Sequence, residues 1–404
     1  SWSSALEAAA RTIRLAVSSQ GADSVAILGG ARLANEDARA WAMLASKLGI
    51  TLHDAQLDDG LSTEVFNLPQ ATINDATSAT TVILLSPDLK EELPVLYLRL
   101  RDAATKNRTR IIEFTTKSSG LTRYAWKSVN YEPGAQVAAV NTALNDAEIA
   151  GQLSKGNVVV VLGRANLAES SDFTAQAYNA IAAALPGATV LPVLRRGNIR
   201  GAATAGLTAG NSARSILTAA SEGHIECLIL LGADPLSDVP DLDLARRALA
   251  SAHNIIAVDT FPTASTLLAD VVLPAAAYAE RGGTTTNLEG RVLPLSQKIT
   301  ARGTSRPDWM IATELAEQLG ANIGVESIDD LTATDVPAEV LQGLSVVGSS
   351  APERNSYDLR LVVSRKMYDN AVSTVTSPSL AHLSIGAGIY LNSRDIERIG
   401  APVG

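Results

Sequence analysis

The chain predicts an α/β fold made of two related Rossmann-like units with parallel sheets, and three observations carry that prediction. The first is internal repetition. Val25-Ala26-Ile27-Leu28-Gly29-Gly30-Ala31-Arg32-Leu33-Ala34 is echoed by Val159-Val160-Val161-Leu162-Gly163-Arg164-Ala165-Asn166-Leu167-Ala168, and Ile83-Leu84-Leu85-Ser86-Pro87-Asp88 by Ile229-Leu230-Leu231-Gly232-Ala233-Asp234. The second is order: each copy is a short apolar run, a small-residue turn, a helical pattern and another apolar run. Such alternation implies parallel pairing through right-handed crossovers. The third is that the apolar runs do not alternate with polar residues, which marks strands covered on both faces.

The elements follow in order. Residues 4–18 carry Ala, Leu, Ile and Val at helical spacing behind Ser3 and Ser4, either of which could cap the helix. In the first unit, placed at 1–156, residues 25–28 form a strand and 35–47 a helix ending at Gly49; residues 51–78 read as irregular and polar. A strand at 82–85, an amphipathic helix at 91–105 and a strand at 111–114 come next, and Pro133-Gly134 precedes an Ala/Val/Asn helix reaching about residue 150. The second unit, 157–325, has strands at 158–162, 189–193, 228–231, 255–258 and 271–273, with helices at 173–184 and 242–252. A loop rich in Gly, Ala and Arg spans 195–211. Asp329, Asp330, Asp335, Pro337, Ser349, Ser350 and Pro352 mark a linker at 326–357. A third domain opens at 358–404, with a strand at 359–363.

Composition excludes several functions. Of the 404 residues 46% are hydrophobic, enough for more than one core. Aromatics are 4%, too few for a base-stacking reader, and the net charge of -9 disfavours phosphate-backbone binding, so no nucleic-acid partner is expected. No apolar stretch reaches the about 20 residues of a membrane span, so direct insertion is not expected. The chain opens Ser1-Trp2-Ser3-Ser4 and stops at Pro402-Val403-Gly404, which reads as an internal piece of a longer polypeptide. The single Cys227 cannot build a disulfide, a zinc cage or an iron–sulfur cluster within the chain, and its apolar setting reads as core.

Several groups could carry chemistry. Gly232-Ala233-Asp234-Pro235 lies between a strand and a helix, where backbone amides can hold a phosphate, and Asp259 ends a strand where a carboxylate could bind a ribose. Gly232, Asp234 and Asp259 are thus candidate cofactor-binding residues; the alternative is a structural turn with a helix cap. The first unit has Ser86-Pro87 and Glu113 in their places, and neither GxGxxG nor GxxxxGK[ST] occurs. Arg195-Arg196-Gly197-Asn198-Ile199-Arg200-Gly201 concentrates three guanidinium groups, suited to a protein partner, a small anion or solvent. The run 280–291, Glu280-Arg281-Gly282-Gly283-Thr284-Thr285-Thr286-Asn287-Leu288-Glu289-Gly290-Arg291, could line a cofactor groove or close a domain interface. His53, His224, His253 and His382 form no ligand motif, and GxSxG is absent, so no metal ligand or catalytic residue is assigned.

Ser1-Trp2-Ser3-Ser4-Ala5-Leu6, Gly232-Ala233-Asp234-Pro235-Leu236, Ala269-Asp270-Val271-Val272-Leu273-Pro274-Ala275-Ala276, the 280–291 loop and Arg306-Pro307-Asp308-Trp309 together resemble the molybdopterin oxidoreductase superfamily. The resemblance covers nearly the whole chain and is greatest to the G-type branch, the 75-kilodalton-type subunits of NADH-quinone oxidoreductase, respiratory complex I. It implies a structural body whose electron transfer runs through iron–sulfur clusters in an N-terminal region outside residues 1–404, with no cofactor in this fragment. It also implies other peripheral-arm subunits as partners, a peripheral location on the cytoplasmic side of the inner (plasma) membrane, and the start of a C-terminal β-barrel at 358–404. Molybdenum enzymes of the superfamily ligate the metal by Cys, selenocysteine, Ser or Asp after the first Gly-loop helix. The corresponding stretch, His53-Asp54-Ala55-Gln56-Leu57-Asp58-Asp59-Gly60, has no thiol and offers Asp58 as a conceivable ligand.

Overall fold

Residues 25–29 present no polar side chain to either face, and in the computed structural model they form a strand buried on both sides. The structure describes residues 1–208, 212–332, 339–351, 353–355 and 357–400; Asn211, Asp335, Pro337, Pro352 and Pro402-Val403-Gly404 lie outside them. The strands are β1 (Val25–Gly29), β2 (Leu52–Asp54), β3 (Thr81–Leu85), β4 (Arg110–Thr115), β5 (Lys127–Asn130), β6 (Val158–Leu162), β7 (Thr189–Pro192), β8 (Cys227–Leu231), β9 (Asn254–Asp259), β10 (Val271–Pro274), β11 (Gly283–Thr286) and β12 (Val292–Leu295). The helices begin with α1 (Trp2–Gln20), α2 (Asn35–Leu48), α3 (Ile73–Ser78), α4 (Leu89–Glu92), α5 (Pro94–Asp102), α6 (Gln136–Leu144) and α7 (Ala147–Leu153). They continue with α8 (Ser171–Ala184), α9 (Ile199–Thr204), α10 (Ala213–Ser221), α11 (Pro235–Asp238), α12 (Leu242–Ser251), α13 (Asp308–Leu319), α14 (Val372–Val375) and α15 (Ser393–Ile399).

The predicted α/β fold with parallel sheets is the one observed. Sheet I runs β10-β9-β8-β1-β2 and sheet II β5-β4-β3-β6-β7, every pairing within them parallel. Alternate residues face opposite layers. In β8, Cys227, Ile229 and Leu231 pack toward α1, α2 and α13 with Trp41, while Leu228 and Leu230 pack toward α10 and α12. In β6, Val158, Val160 and Leu162 face the layer of α6, α7 and α8, and Val159 and Val161 the layer of α5.

The sheets do not follow the expected division at residue 157. The chain lays down β1 and β2 of sheet I, leaves to build all of sheet II, and returns for β8, β9 and β10. Each sheet therefore holds one member of each echoed pair: β1 and β8 in sheet I, β6 and β3 in sheet II. The hydrophobic pattern marks a strand but not the partner that satisfies its backbone, and one of the two partners of β1, β8, lies about half a chain away. Register adds a second correction. Gly30 N donates to Leu231 O and Gly163 N to Leu85 O, so Gly30 is the spatial counterpart of Gly163, one residue off the sequence echo that set Gly29 against it. That slip reverses the faces, so Leu28 and Leu162 point into non-equivalent layers.

Other expectations change as well. Residues 51–78 contain β2 and α3, and the 280–291 run supplies β11 and the turn of an antiparallel hairpin with β12. The expected helix 91–105 is split into α4 and α5 at Pro94, whose ring cannot continue the preceding turn. The expected strand at 359–363 has no ladder, because its backbone meets side chains and turns rather than another strand: Val363 N donates to Asn166 Oδ1, and Leu361 O and Val363 O accept from Asn166 and Leu167. Among the described residues beyond 357 no strand forms, only short helical turns including α14 and α15.

Candidate functional site

Open parallel sheets bind ligands beyond the carboxyl ends of their strands, at the point where strand order reverses. Here those points lie between β8 and β1 in sheet I and between β3 and β6 in sheet II. The chain leaves β1 through Gly29, where a Cβ would stand 2.3 Å from Leu231 O and φ is +101°, so only glycine fits that close approach.

The residues that follow these strand ends join in one ionic network. Arg32, after β1, meets Asp238 of α11 at 3.1 Å. Arg195 and Arg196, after β7, both reach Asp59 after β2, at 3.2 and 2.7 Å, and Arg196 also reaches Asp238 at 3.3 Å. Arg195 continues to Glu92 at 3.2 Å and to Asp369 at 3.7 Å. Arg164, after β6, donates to Asp58 O at 2.6 Å and lies 3.8 Å from its carboxylate. Arg214 donates to Asp58 Oδ2 at 2.9 Å and reaches Asp241 at 3.4 Å. Arg365, in a strap from Leu361 to Asp369, donates to Ser237 O at 3.1 Å and to Asp238 O.

Six arginines thus face six carboxylates, and the carboxyl edges of the two sheets are tied to each other. Burial shapes their titration. It pushes the Asp58 and Glu92 carboxyls up, against the pull of Arg164 and Arg214 on the first and of Arg195 on the second. Burial also opposes ionisation of Asp238, but Arg196, Arg32 and Arg365 outweigh it and hold that carboxyl below its usual range. Asp58 adopts a left-handed φ of +58°, an uncommon backbone conformation that here accompanies a side chain aimed at both arginines.

The sequence candidates fare unevenly. Gly232 and Asp234 do sit at the switch point, but Asp234 accepts from Ser265 N at 3.1 Å, from Ser265 Oγ and from Ser237 Oγ at 2.8 Å. Asp259 accepts from Thr260 N at 2.7 Å and Phe261 N at 3.2 Å, with burial raising its carboxyl to about 6. Asp259 thus binds its own turn and Asp234 its own turn and the β9–β10 connection, while Glu113 accepts from Ser119, Thr122 and Ser128. The Arg195–Gly201 stretch is not an open surface for a partner: Arg195 and Arg196 are engaged inside the network, and Arg200 donates to Gln70 Oε1 at 3.0 Å and covers the Phe66 ring. The 280–291 run closes an interface, with Thr284 N and Oγ1 donating to Glu36 at 2.7 Å and Thr286 N to Asn198 Oδ1 at 2.7 Å. Cys227 opens β8, so it lies at the sheet edge away from the switch point, and burial pushes its thiol up to about 12. Among the described residues no group of three or more His, Cys, Asp and Glu is placed to hold a metal ion.

Sequence reading missed Arg32, Asp59, Arg164 and Asp238. Arg32 and Arg164 carried one signal, a charge in the turn after an apolar run; Asp59, after the short β2, and Asp238, on α11, carried none. It also missed a second buried cluster, in which Nη1 of Arg281 bridges Asp37 at 2.9 Å and Asp308 at 2.7 Å between α2 and α13.

A family model described as molybdopterin oxidoreductase matches residues 1–318. The chain belongs to the molybdopterin oxidoreductase family. The alpha subunit of an NADPH-Fe(3+) oxidoreductase from Geobacter sulfurreducens is 24% identical over 506 residues, covering 100% of this chain and 60% of that protein. The G subunit of an NADH-quinone oxidoreductase from Mycobacterium bovis is 26% identical over 377 residues, covering 81% of this chain and 45% of its own length. The alpha subunit of F420-dependent formate dehydrogenase 2 from Methanococcus maripaludis is 34% identical over 149 residues, 37% of this chain and 21% of that one. The chain therefore spans only part of the curated relatives it matches. In fold this family member is similar to a chain of the formyltransferase/hydrolase complex from Methylorubrum extorquens, with a TM-score of 0.55 at 15% identity, covering 78% of this chain and 96% of that one.

Proposed function

We propose that this member of the molybdopterin oxidoreductase family is the structural body of a G-type subunit of NADH-quinone oxidoreductase. It supports NADH-to-quinone electron transfer from the peripheral arm without a redox centre in residues 1–404. The observation that carries this reading is the self-neutralised network at the switch points. A metal-bearing pterin dinucleotide would need anion-binding donors and a metal ligand there. Arg32, Arg164, Arg195 and Arg196 instead answer carboxylates of the same chain, and both oxygens of Asp58 face arginines. The groups present do not fit that cofactor. Breaking such buried pairs to admit one would cost roughly 3–5 kcal/mol for each partner exposed.

On this reading iron–sulfur clusters belong to other parts of the protein, other peripheral-arm subunits are its partners, and it sits on the cytoplasmic face of the membrane. The similarity to the Mycobacterium bovis relative supports those partners. Two competing readings are an active molybdopterin-dependent oxidoreductase, which the formate dehydrogenase relative favours, and a stand-alone nucleotide-binding module. Elemental analysis and pterin fluorescence on the full-length protein, with an NAD thermal-shift titration, separate all three. The scaffold gives far less than one molybdenum per chain, no pterin and no NAD shift. A stoichiometric molybdopterin refutes it. So does stabilisation approaching about 3 kcal/mol at a hundredfold excess over Kd.

A further inference from the structure

The two sheets serve as internal controls for one another. In sheet II the connection from β4 to β5 packs tightly on the α4–α5 pair. Leu121 is 2% exposed, Gly120 N donates to Asp88 Oδ1 at 3.1 Å, and a Cβ on Gly120 would stand 2.6 Å from Lys90 Cβ. The matching connection in sheet I, from β9 to β10, is tied to α11, where Leu236 N donates to Ser265 Oγ at 3.3 Å, but parts from α12 beyond that point. It leaves a cavity of about 430 Å³ lined by Leu236, Leu242, Leu249, Ala250, Leu268 and Arg246. Leu267 and Leu268 beside it are 81% and 53% exposed, and Val272 on edge strand β10 is 48% exposed. Each connection contains one short 3-10 turn, Thr122–Tyr124 in sheet II and Thr266–Leu268 in sheet I, so the two differ in how closely they pack and not in helix content.

The lining has the form of a helix-packing ridge. Leu242, Arg246, Leu249 and Ala250 fall at i, i+4, i+7 and i+8 on α12, a single stripe, and Ala250 permits close approach. Arg246 is exposed on that stripe and has no hydrogen-bond or ion-pair partner among the described residues, in contrast to its neighbour Arg247, which meets Asp243 at 3.6 Å. An apolar groove with one unanswered guanidinium fits an amphipathic helix carrying a carboxylate. We propose that this groove seats such a helix from another subunit, apolar at i, i+3 or i+4, and i+7, with an Asp or Glu set against Arg246. The inference does not depend on the redox reading, since a chain with a bound pterin would present the same groove.

The test places a benzophenone side chain at Leu267 of the full-length protein, expressed in its own host, and identifies the photo-adduct in the purified assembly by mass spectrometry. The expected adduct is one peptide of a different subunit with apolar residues at helical spacing and an acidic residue among them. Arg246→Glu lowers its yield roughly tenfold while the thermal midpoint of the isolated protein holds, and Lys in place of that acidic residue restores it. The proposal is overturned by the absence of an adduct, by adducts only to a second copy or another segment of this chain, or by a yield indifferent to Arg246→Glu.

Discussion

Replacing Asp308 by Asn should flatten the dependence of stability on pH, because in the native protein Asp308 holds a proton that the unfolded chain releases. Asp37 and Asp308 share Nη1 of Arg281, all three buried, so two negative charges would face one positive. Asp37 has further donors, Ala34 N at 3.1 Å and Trp309 N at 3.0 Å, whereas Oδ1 of Asp308 has none. The proton therefore resides on Asp308, where burial and then the Asp37 charge push the carboxyl up to about 8. A raised folded pKa means that the native state binds more protons than the unfolded state between about pH 4 and pH 8. Its contribution to stability is complete below the unfolded pKa and is lost as pH rises toward 8. Each pH unit in that window is worth a little over roughly 1 kcal/mol, so the native protein loses roughly 3 kcal/mol from this group between pH 5 and pH 7. The amide of the Asp308→Asn variant does not titrate and loses nothing. Burial also raises Asp54, to about 7, and Asp259, to about 6, but both titrate in either protein and cancel in the comparison. At pH 5 the variant is less stable by about 1–3 kcal/mol, the cost of a buried amide lacking one partner, and by pH 8 it equals or exceeds the native protein. Urea titrations at half-unit intervals from pH 5 to pH 8 measure this. Parallel curves for the two proteins would refute the assignment of the proton.

Arg196→Met removes one of two arginines from Asp59 and from Asp238, met at 2.7 and 3.3 Å, leaving Arg195 and Arg32 on them, and should cost about 1.5–3 kcal/mol in urea unfolding, more than an exposed arginine change. Gly29→Ala should abolish soluble expression or lower stability by more than about 3 kcal/mol, since its Cβ meets Leu231 O at 2.3 Å and Ala233 Cβ at 2.7 Å. Gly232→Ala, left-handed at φ +54° with nothing within 4 Å, should cost only about 1–2 kcal/mol in the same assay. Cys227, buried with its thiol raised to about 12, should label with a maleimide only under denaturing conditions, and rapid native labelling would contradict its placement at the start of β8.

The fold class was legible because a parallel strand covered on both faces leaves a plain mark, and Val158 to Leu162 or Cys227 to Leu231 carry it in five consecutive buried residues. Short or half-exposed elements were not legible. β5, Lys127–Asn130, is an edge strand with no apolar run, and β2 has three residues, one of them aspartate. The candidate site was legible only in its turns. Gly232, Asp234 and Asp259 lie where the strand pattern placed them, yet the two carboxylates answer amides and hydroxyls of the protein, Asp259 in its own turn and Asp234 largely at the distant Ser265.

The sequence by itself determined that the long apolar runs are strands and that they come in two related sets, since hydrophobic periodicity is a local property of the chain. Tertiary structure alone decided that sheet II is inserted between the two parts of sheet I, and that Asp59 meets Arg196 while Asp37 meets Arg281. Strand partners and buried ion pairs are chosen by which distant groups can satisfy one another once water is excluded, and no local pattern records that choice.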